Sequence, residues 1–194
     1  MGVVKLSTAG IRNYSKTSDF LSGNAPLSLG SFDLLETTTL STSASSVTFS
    51  GLGAYSDYKH LQVRMVARDN NAGTESASYF RLNGATTGYG LGHVLYGNGS
   101  SVASNQIGAS SFMETFQTFP GSAATTGAFG VAVLDILDFS NTSKYTTTRL
   151  LGGAILQINL KSGLYMNTAA ITSIAFTSTS SFVSGSRWSL YGVI

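Results

Sequence analysis

The sequence predicts an all-β fold, an antiparallel β-sandwich of jelly-roll type with an extended N-terminal arm. Short segments alternate apolar and polar residues with the period of two that is typical of half-buried strands. Turn dipeptides such as Asn83-Gly84 and Asn98-Gly99 separate these segments. No window of about twelve residues shows an apolar helical stripe with caps. We therefore expect about nine to eleven short strands in two packed sheets.

The first thirty of the 194 residues differ from the remainder of the chain. Their apolar residues keep no sustained period, and Gly10, Gly23 and Pro26 interrupt them. We therefore divide the chain into an attachment arm at 1–30 and a β-sandwich head at 31–194. The residues of the arm that we expect to make the attachment are Val3, Lys5, Leu6, Ile11, Arg12, Tyr14, Phe20 and Leu21.

The head opens with a stretch rich in hydroxyl residues at 37–46, which is either an edge strand or a linker. Alternating segments follow and predict strands at 47–50, 60–68, 79–82, 90–96 and 112–119. The Asn-Gly pair after 79–82 predicts a hairpin turn, and Pro120-Gly121 ends the last of these strands.

The segment 129–139 is the most apolar of the chain and predicts a central strand that is buried on both faces. The alternating pattern then continues through four further segments, at 145–151, 154–161, 171–178 and 187–194.

The composition excludes several classes of protein. Charged residues make up 10% of the chain, against about 25% in an average protein, and 30 Ser and 22 Thr take their place. This composition excludes a charge-driven disordered chain and a helix bundle. The net charge of +2 argues against a nucleic-acid partner. The sequence contains no run of 18 or more apolar residues, so we expect no insertion into a membrane.

Catalytic and metal-binding patterns are weak. The chain has no Cys, and its two histidines, His60 and His93, lack the spacing of metal ligands or of a catalytic triad. Asp135 and Asp138 are the only pair that we weigh as polysaccharide-cleaving carboxylates. The favoured alternative is that Asp138 begins a turn and Asp135 pairs with a basic residue or the backbone. We expect a non-enzymatic protein without cofactor or metal.

Aromatic residues offer one candidate binding site. Tyr79, Tyr89 and Tyr96, together with Trp188, are the residues that we consider for contact with a sugar. Packing in the core, or against another subunit, is the favoured alternative for each of these side chains.

Four stretches of the head carry a family resemblance. They are residues 58–64 (YKHLQVR), 134–145 (LDILDFSNTSKY), 162–174 (SGLYMNTAAITSI) and 185–194 (GSRWSLYGVI). In this order they resemble β-rich virion proteins of tailed bacteriophages, over roughly 31–194. The family has no catalytic motif, so the resemblance assigns no active-site residue.

The resemblance implies a structural protein of the virion, assembled in the host cytoplasm and often homotrimeric. The sequence hypothesis is a short tail fibre or baseplate-associated appendage, docked by the arm onto other virion proteins, with host surface glycan as a further partner. A capsid decoration protein is the first alternative. A polysaccharide depolymerase is the second.

Overall fold

The computed structural model describes residues 31–90, 92–115 and 119–194, which form an antiparallel all-β structure. This confirms the predicted fold class. Two main sheets enclose one hydrophobic core, as in a β-sandwich. The predicted arm at 1–30 lies outside the described residues, and the jelly-roll topology stays a prediction.

The described residues contain fifteen strands, more than predicted, because several strands are only two residues long. The strands are β1 (Phe32–Thr39), β2 (Ala44–Ser50), β3 (His60–Ala67), β4 (Glu75–Ser76), β5 (Ser78–Leu82), β6 (Tyr89–Gly90), β7 (Gly92–Gly97), β8 (Val102–Ile107), β9 (Met113–Glu114), β10 (Phe119–Pro120), β11 (Gly130–Leu137), β12 (Thr146–Gly153), β13 (Ile158–Tyr165), β14 (Ser173–Phe182) and β15 (Arg187–Val193). A single 3-10 turn, Leu52–Tyr55, follows β2.

The larger sheet has nine strands in the order β1-β15-β3-β11-β12-β13-β7-β8, with β6 paired to β13 beside β7. The smaller sheet has four strands in the order β2-β14-β5-β9, and β10 and β4 form a separate pair. All of the paired strands are antiparallel.

The core lies between the two main sheets and is rich in aromatic side chains. Trp188 of the larger sheet contacts Phe182 of the smaller sheet edge-on, with ring centroids 4.7 Å apart. It also contacts Phe176, which in turn packs against Phe80. Such pairs add about 0.5–1.5 kcal/mol each beyond the burial of their apolar area. Trp188 is fully buried, as the favoured interpretation of the sequence predicted.

Tyr89 also connects the two sheets. Its ring stacks on Tyr165 of the larger sheet at a centroid distance of 5.0 Å. Its hydroxyl accepts a hydrogen bond from Leu82 N at 2.8 Å and donates one to Leu82 O at 3.0 Å. Because Leu82 belongs to β5, this hydroxyl satisfies backbone groups of the opposite sheet. Burial is also the main reason that the pKa of Tyr89 rises to about 12.

The most apolar strand is not buried on both faces, which corrects the sequence prediction. In β11, Ala132, Leu134 and Ile136 point into the core, whereas Val131 is 55% exposed. The core covers one face of the larger sheet only. Burial in this core therefore does not account for the apolar residues on the other face of β11.

One further prediction differs from the structure. Residues 154–157 form a tight turn, closed by a hydrogen bond from Ala154 N to Gln157 O, so β13 begins only at Ile158. The hydroxyl-rich stretch 37–46 contains both expected alternatives, because its ends belong to the edge strands β1 and β2 and residues 40–43 link them. β8 was not predicted, because its polar sequence shows no apolar alternation.

The turn at Asn83-Gly84 forms as predicted, but it does not close a hairpin. Both residues have positive φ, 54° and 64°, as a type I′ turn requires. The preceding strand β5 nevertheless pairs with β14 and β9. The Asn83 side chain accepts a hydrogen bond from Thr172 N at 2.7 Å and donates one to Ala170 O at 2.9 Å. These bonds direct the turn toward the segment that leads into β14.

Arg68 organises the loop between β10 and β11. Its guanidinium group donates hydrogen bonds to four backbone carbonyl oxygens of this loop, those of Ser122, Ala124, Thr125 and Ala128. A guanidinium group is planar and holds several N–H donors in fixed directions, so it can bind several carbonyl groups at once. A lysine ammonium is a compact point charge without this fixed fork of donors.

We predict that Arg68→Ala makes the loop at 121–129 sensitive to proteolysis and destabilises the fold by about 1–3 kcal/mol, because four carbonyl groups lose their donor. Arg68→Lys restores the charge but not the fork of donors, and we expect it to recover only part of the loss. Limited proteolysis and urea unfolding measure both effects. Arg187→Ala removes a positive charge elsewhere and is the control. Equal protease resistance of Arg68→Ala and the natural chain would contradict this role.

Candidate functional site

The outer face of the larger sheet carries the most extensive candidate site in the described residues. Because strands alternate their side chains, every second residue of β11, β12, β13, β7 and β8 points away from the core. At one end of the sheet these positions are aliphatic rather than polar. We define the apolar face as the eight side chains Leu95, Val102, Val131, Leu151, Ile155, Leu156, Ile158 and Leu160, which are 44% to 75% exposed.

Six of these side chains lie on strands, and the strand register places them in adjacent rows. Ile155 and Leu156 lie in the turn between β12 and β13, beside Val131 and Ile158. Leu151, Leu160 and Leu95 are direct neighbours across β12, β13 and β7. In the next row, Ile158 lies between Gly153 of β12 and Gly97 of β7. The glycines leave room beside Ile158, and a shallow groove of about 260 Å³ runs between Leu95, Val102, Leu151 and Ile158. The apolar face is therefore continuous and slightly concave.

A polar row borders the apolar face. Asp135 accepts hydrogen bonds from Gln62 Nε2 at 2.8 Å and from Arg149 Nη2 at 2.7 Å and Nε at 3.1 Å. The two charges of this row therefore neutralise each other. Further along the sheet, the guanidinium of Arg64 lies 4.4 Å from the centroid of the Tyr191 ring.

The three tyrosines predicted to contact sugar do not form one site. The prediction of sugar contact is wrong for Tyr89, because this residue is 1% exposed and its ring and hydroxyl make contacts in the core. Tyr96 is half-buried on β7, and because it alternates with Leu95 its side chain lies on the opposite side of the sheet from the apolar face. Tyr79 lies on the outer side of the smaller sheet, where it stacks on Phe112 with centroids 4.5 Å apart and contacts the Arg81 guanidinium. Glycan contact through Tyr79 stays a prediction.

The two carboxylates weighed for polysaccharide cleavage have separate structural partners. Asp135 pairs with Arg149, and Asp138 forms an ion pair with Lys144. Asp138 also begins a turn, since its carbonyl accepts a hydrogen bond from Asn141 N at 2.9 Å. Both findings match the favoured alternative. The hydrogen bond from Lys144 lowers the pKa of Asp138, whereas a glycosidase acid requires a raised pKa.

The two histidines lie apart. His60, at the start of β3, accepts a hydrogen bond from Asp138 N at 2.9 Å through Nδ1. His93 is exposed on β7. Within the described ranges, no group of three or more His, Cys, Asp or Glu side chains is arranged to hold a metal ion. The same ranges contain no helix able to cross a membrane.

The residues predicted for attachment all lie at 1–30, outside the described residues. The structure therefore does not place Val3, Lys5, Leu6, Ile11, Arg12, Tyr14, Phe20 or Leu21.

Lys161 is a buried charged residue that the sequence did not reveal. It points inward from β13 with its side chain 6% exposed, and Nζ donates a hydrogen bond to Glu114 O at 2.6 Å. The Glu114 carboxylate lies 3.7 Å away and opposes the effect of burial. Burial prevails and lowers the pKa of Lys161 to about 8. Since Glu114 belongs to β9, this lysine connects the two sheets and has a structural role.

Comparisons with known proteins identify no family. No protein family model and no curated protein sequence matches the chain. An exo-inulinase from Aspergillus awamori is 15% identical with a TM-score of 0.33, and the match covers 84% of this chain but only 29% of the inulinase. A mutant alginate lyase in complex with alginate tetrasaccharide is 11% identical with a TM-score of 0.25, over 71% of this chain and 70% of the lyase. Similarity at this level carries no argument about function.

We predict that stability rises between about pH 8 and pH 10. In this range the unfolded chain holds a proton on Lys161 that the folded chain has released, so raising the pH favours folding. Urea unfolding at pH 7 and pH 9.5 should differ by on the order of 1–2 kcal/mol. Above pH 10 the trend reverses, because burial raises the pKa values of Tyr58 and Tyr89 to about 12 in the folded state.

Lys161→Met is the control for this prediction. It removes the titrating group and keeps an unbranched apolar stem, so the rise in stability should disappear. An equal rise in the variant would show that other groups cause it.

Proposed function

We propose that this chain is a non-enzymatic structural subunit of a tailed-phage particle. Its proposed location is a short tail fibre or baseplate-associated appendage, with residues 1–30 as the docking arm. Capsid decoration is the alternative location. The single observation that carries the structural role is the apolar face, which is suited to be covered by protein. The resemblance of the head to phage virion proteins supports the choice of particle.

The energetics of the apolar face favour an assembled state. Covering a half-exposed Leu or Ile side chain removes apolar surface that is worth roughly 1 kcal/mol. Contiguous apolar patches of this kind are uncommon on monomeric soluble proteins and are typical of sites that bind other proteins. The groove beside Ile158 can accept side chains from a complementary protein surface.

The composition supports the same role. A chain with 10% charged residues and a net charge of +2 has little electrostatic repulsion between copies. The outward positions of the smaller sheet illustrate this, because β2 presents Ser46, Thr48 and Ser50. Low repulsion is a disadvantage for a free soluble protein and suits a subunit that is packed against others.

The copy number in purified particles tests the proposal and separates its two locations. We expect tens of copies per particle for a tail or baseplate appendage, and hundreds for a decoration of the shell. Quantitative mass spectrometry against the major capsid protein measures this ratio. Absence of the chain from purified particles would contradict both locations.

Deletion of residues 1–24 tests the docking role of the arm. We expect the truncated head to fold, because the described sandwich begins only at residue 31, and to be lost from particles. Circular dichroism checks the fold, and mass spectrometry of the particles checks incorporation. Normal incorporation of the truncated chain would show that the arm is not the docking element.

A further inference from the structure

We infer that a second copy of this chain covers the apolar face, so that the face is an interface between subunits. This inference names the partner of the surface on which the proposed function rests. Three observations carry it: the extent of the face, the neutrality of its border, and the character of the neighbouring edge strand.

The extent of the apolar face fits a subunit interface. Each of the eight aliphatic side chains is about half exposed, and covering it is worth roughly 1 kcal/mol. At about 25 cal/mol for each Å² of apolar surface, the eight together expose roughly 300 Å². A standard protein interface buries roughly 800 Å² on each partner, with an apolar centre and a polar rim. Leu151 and Leu160 supply such a centre, and the row of Asp135 and Arg149 supplies part of the rim.

The electrostatics of the face permit contact between identical surfaces. Two copies present the same charges to each other, so an unpaired charge at the contact would repel its own equivalent. Here Asp135 and Arg149 neutralise each other within one chain. Lys161, which lies on a strand of the face, points inward to Glu114.

The edge strand beside the apolar face is unprotected. β8 has the sequence Val-Ala-Ser-Asn-Gln-Ile, without a charged residue or a proline, and Val102 on it is 75% exposed. Edge strands that stay in solvent usually carry charges or proline to prevent pairing. The opposite edge, β1, carries Asp33 and Glu36. This asymmetry indicates that the β8 end of the sheet, where the apolar face lies, is the end that another chain covers.

The first test is the mass of the purified full-length chain in solution, with and without a charge on the face. We expect the natural chain to form a dimer or trimer at micromolar concentration. Ile158→Lys buries a charge at the interface and should weaken association by more than about a hundredfold. Leu34→Lys is the matched control, because Leu34 is 59% exposed on β1, against 61% for Ile158.

Sedimentation analysis of the three proteins gives a clear outcome. An oligomer that Ile158→Lys dissociates and Leu34→Lys leaves intact supports the inference. A natural chain that stays monomeric, or an oligomer that survives Ile158→Lys, overturns it. If Ile158→Lys fails to fold, the milder Leu160→Ser replaces it in the same comparison.

A second test identifies the occupant of the face. Because the chain has no Cys, single cysteines at Ile158→Cys and at Leu34→Cys report local access through their rate of reaction with a maleimide. We expect the cysteine at 158 to be protected at high protein concentration and to react faster on dilution. Protection that is independent of concentration would assign the face to the chain's own residues 1–30 and overturn the inference.

Both tests use the purified protein alone, so their results are independent of incorporation into a particle. A self-associating chain that is absent from particles would contradict the proposed function and leave the inferred interface intact. A chain that is monomeric in solution but present in particles would contradict the inferred interface and leave the proposed function intact.

Discussion

The contact of Trp188 with Phe176 and Phe182 across the sandwich is the constraint on which the other features depend. It holds β15 and β14 face to face and thereby sets which side of every neighbouring strand points inward. The hydroxyl of Tyr89 and the ammonium of Lys161 add polar links between the same two sheets. Once the inner side is fixed, the outer side of the larger sheet follows from the alternation of the backbone. The apolar face is the part of that outer side where the sequence supplies aliphatic residues.

This arrangement allows a nearly neutral chain to combine a stable fold with the proposed role as an associating subunit. The inner residues of β11, among them Leu134 and Ile136, are fully buried, while Leu151 and Ile158 remain half-exposed on the other side of the sheet. Beside the apolar face, the charges of Asp135 and Arg149 are paired with each other within the chain. The surface left over is complementary to another apolar protein surface rather than to a charged ligand. The proposed structural role in a phage particle uses this property.

The sequence predicted strands well where one face of the strand is apolar and the other polar. β3 is the best example, since Leu61, Val63 and Met65 are buried and alternate with Gln62 and Arg64. The same rule gave a wrong prediction for β11, which was expected to be buried on both faces. Aliphatic residues at exposed outer positions cannot be distinguished in sequence from residues of a strand that is buried on both faces. β8 was missed because an exposed edge strand with polar residues has no apolar signal. The burial of Tyr89 depends on Tyr165, which a strand pairing distant in sequence brings to it. It also depends on Leu82, which is near in sequence but belongs to the opposite sheet.

The structure of the assembled protein, determined by crystallography or cryo-electron microscopy, decides whether copies of the chain contact each other through the apolar face. We expect Leu151, Ile158 and Leu160 of one copy to be buried against another copy, with Asp135 and Arg149 at the rim of the contact. An assembly in which these three side chains face solvent would contradict this expectation, and so would one in which they are covered by residues 1–30 of the same chain.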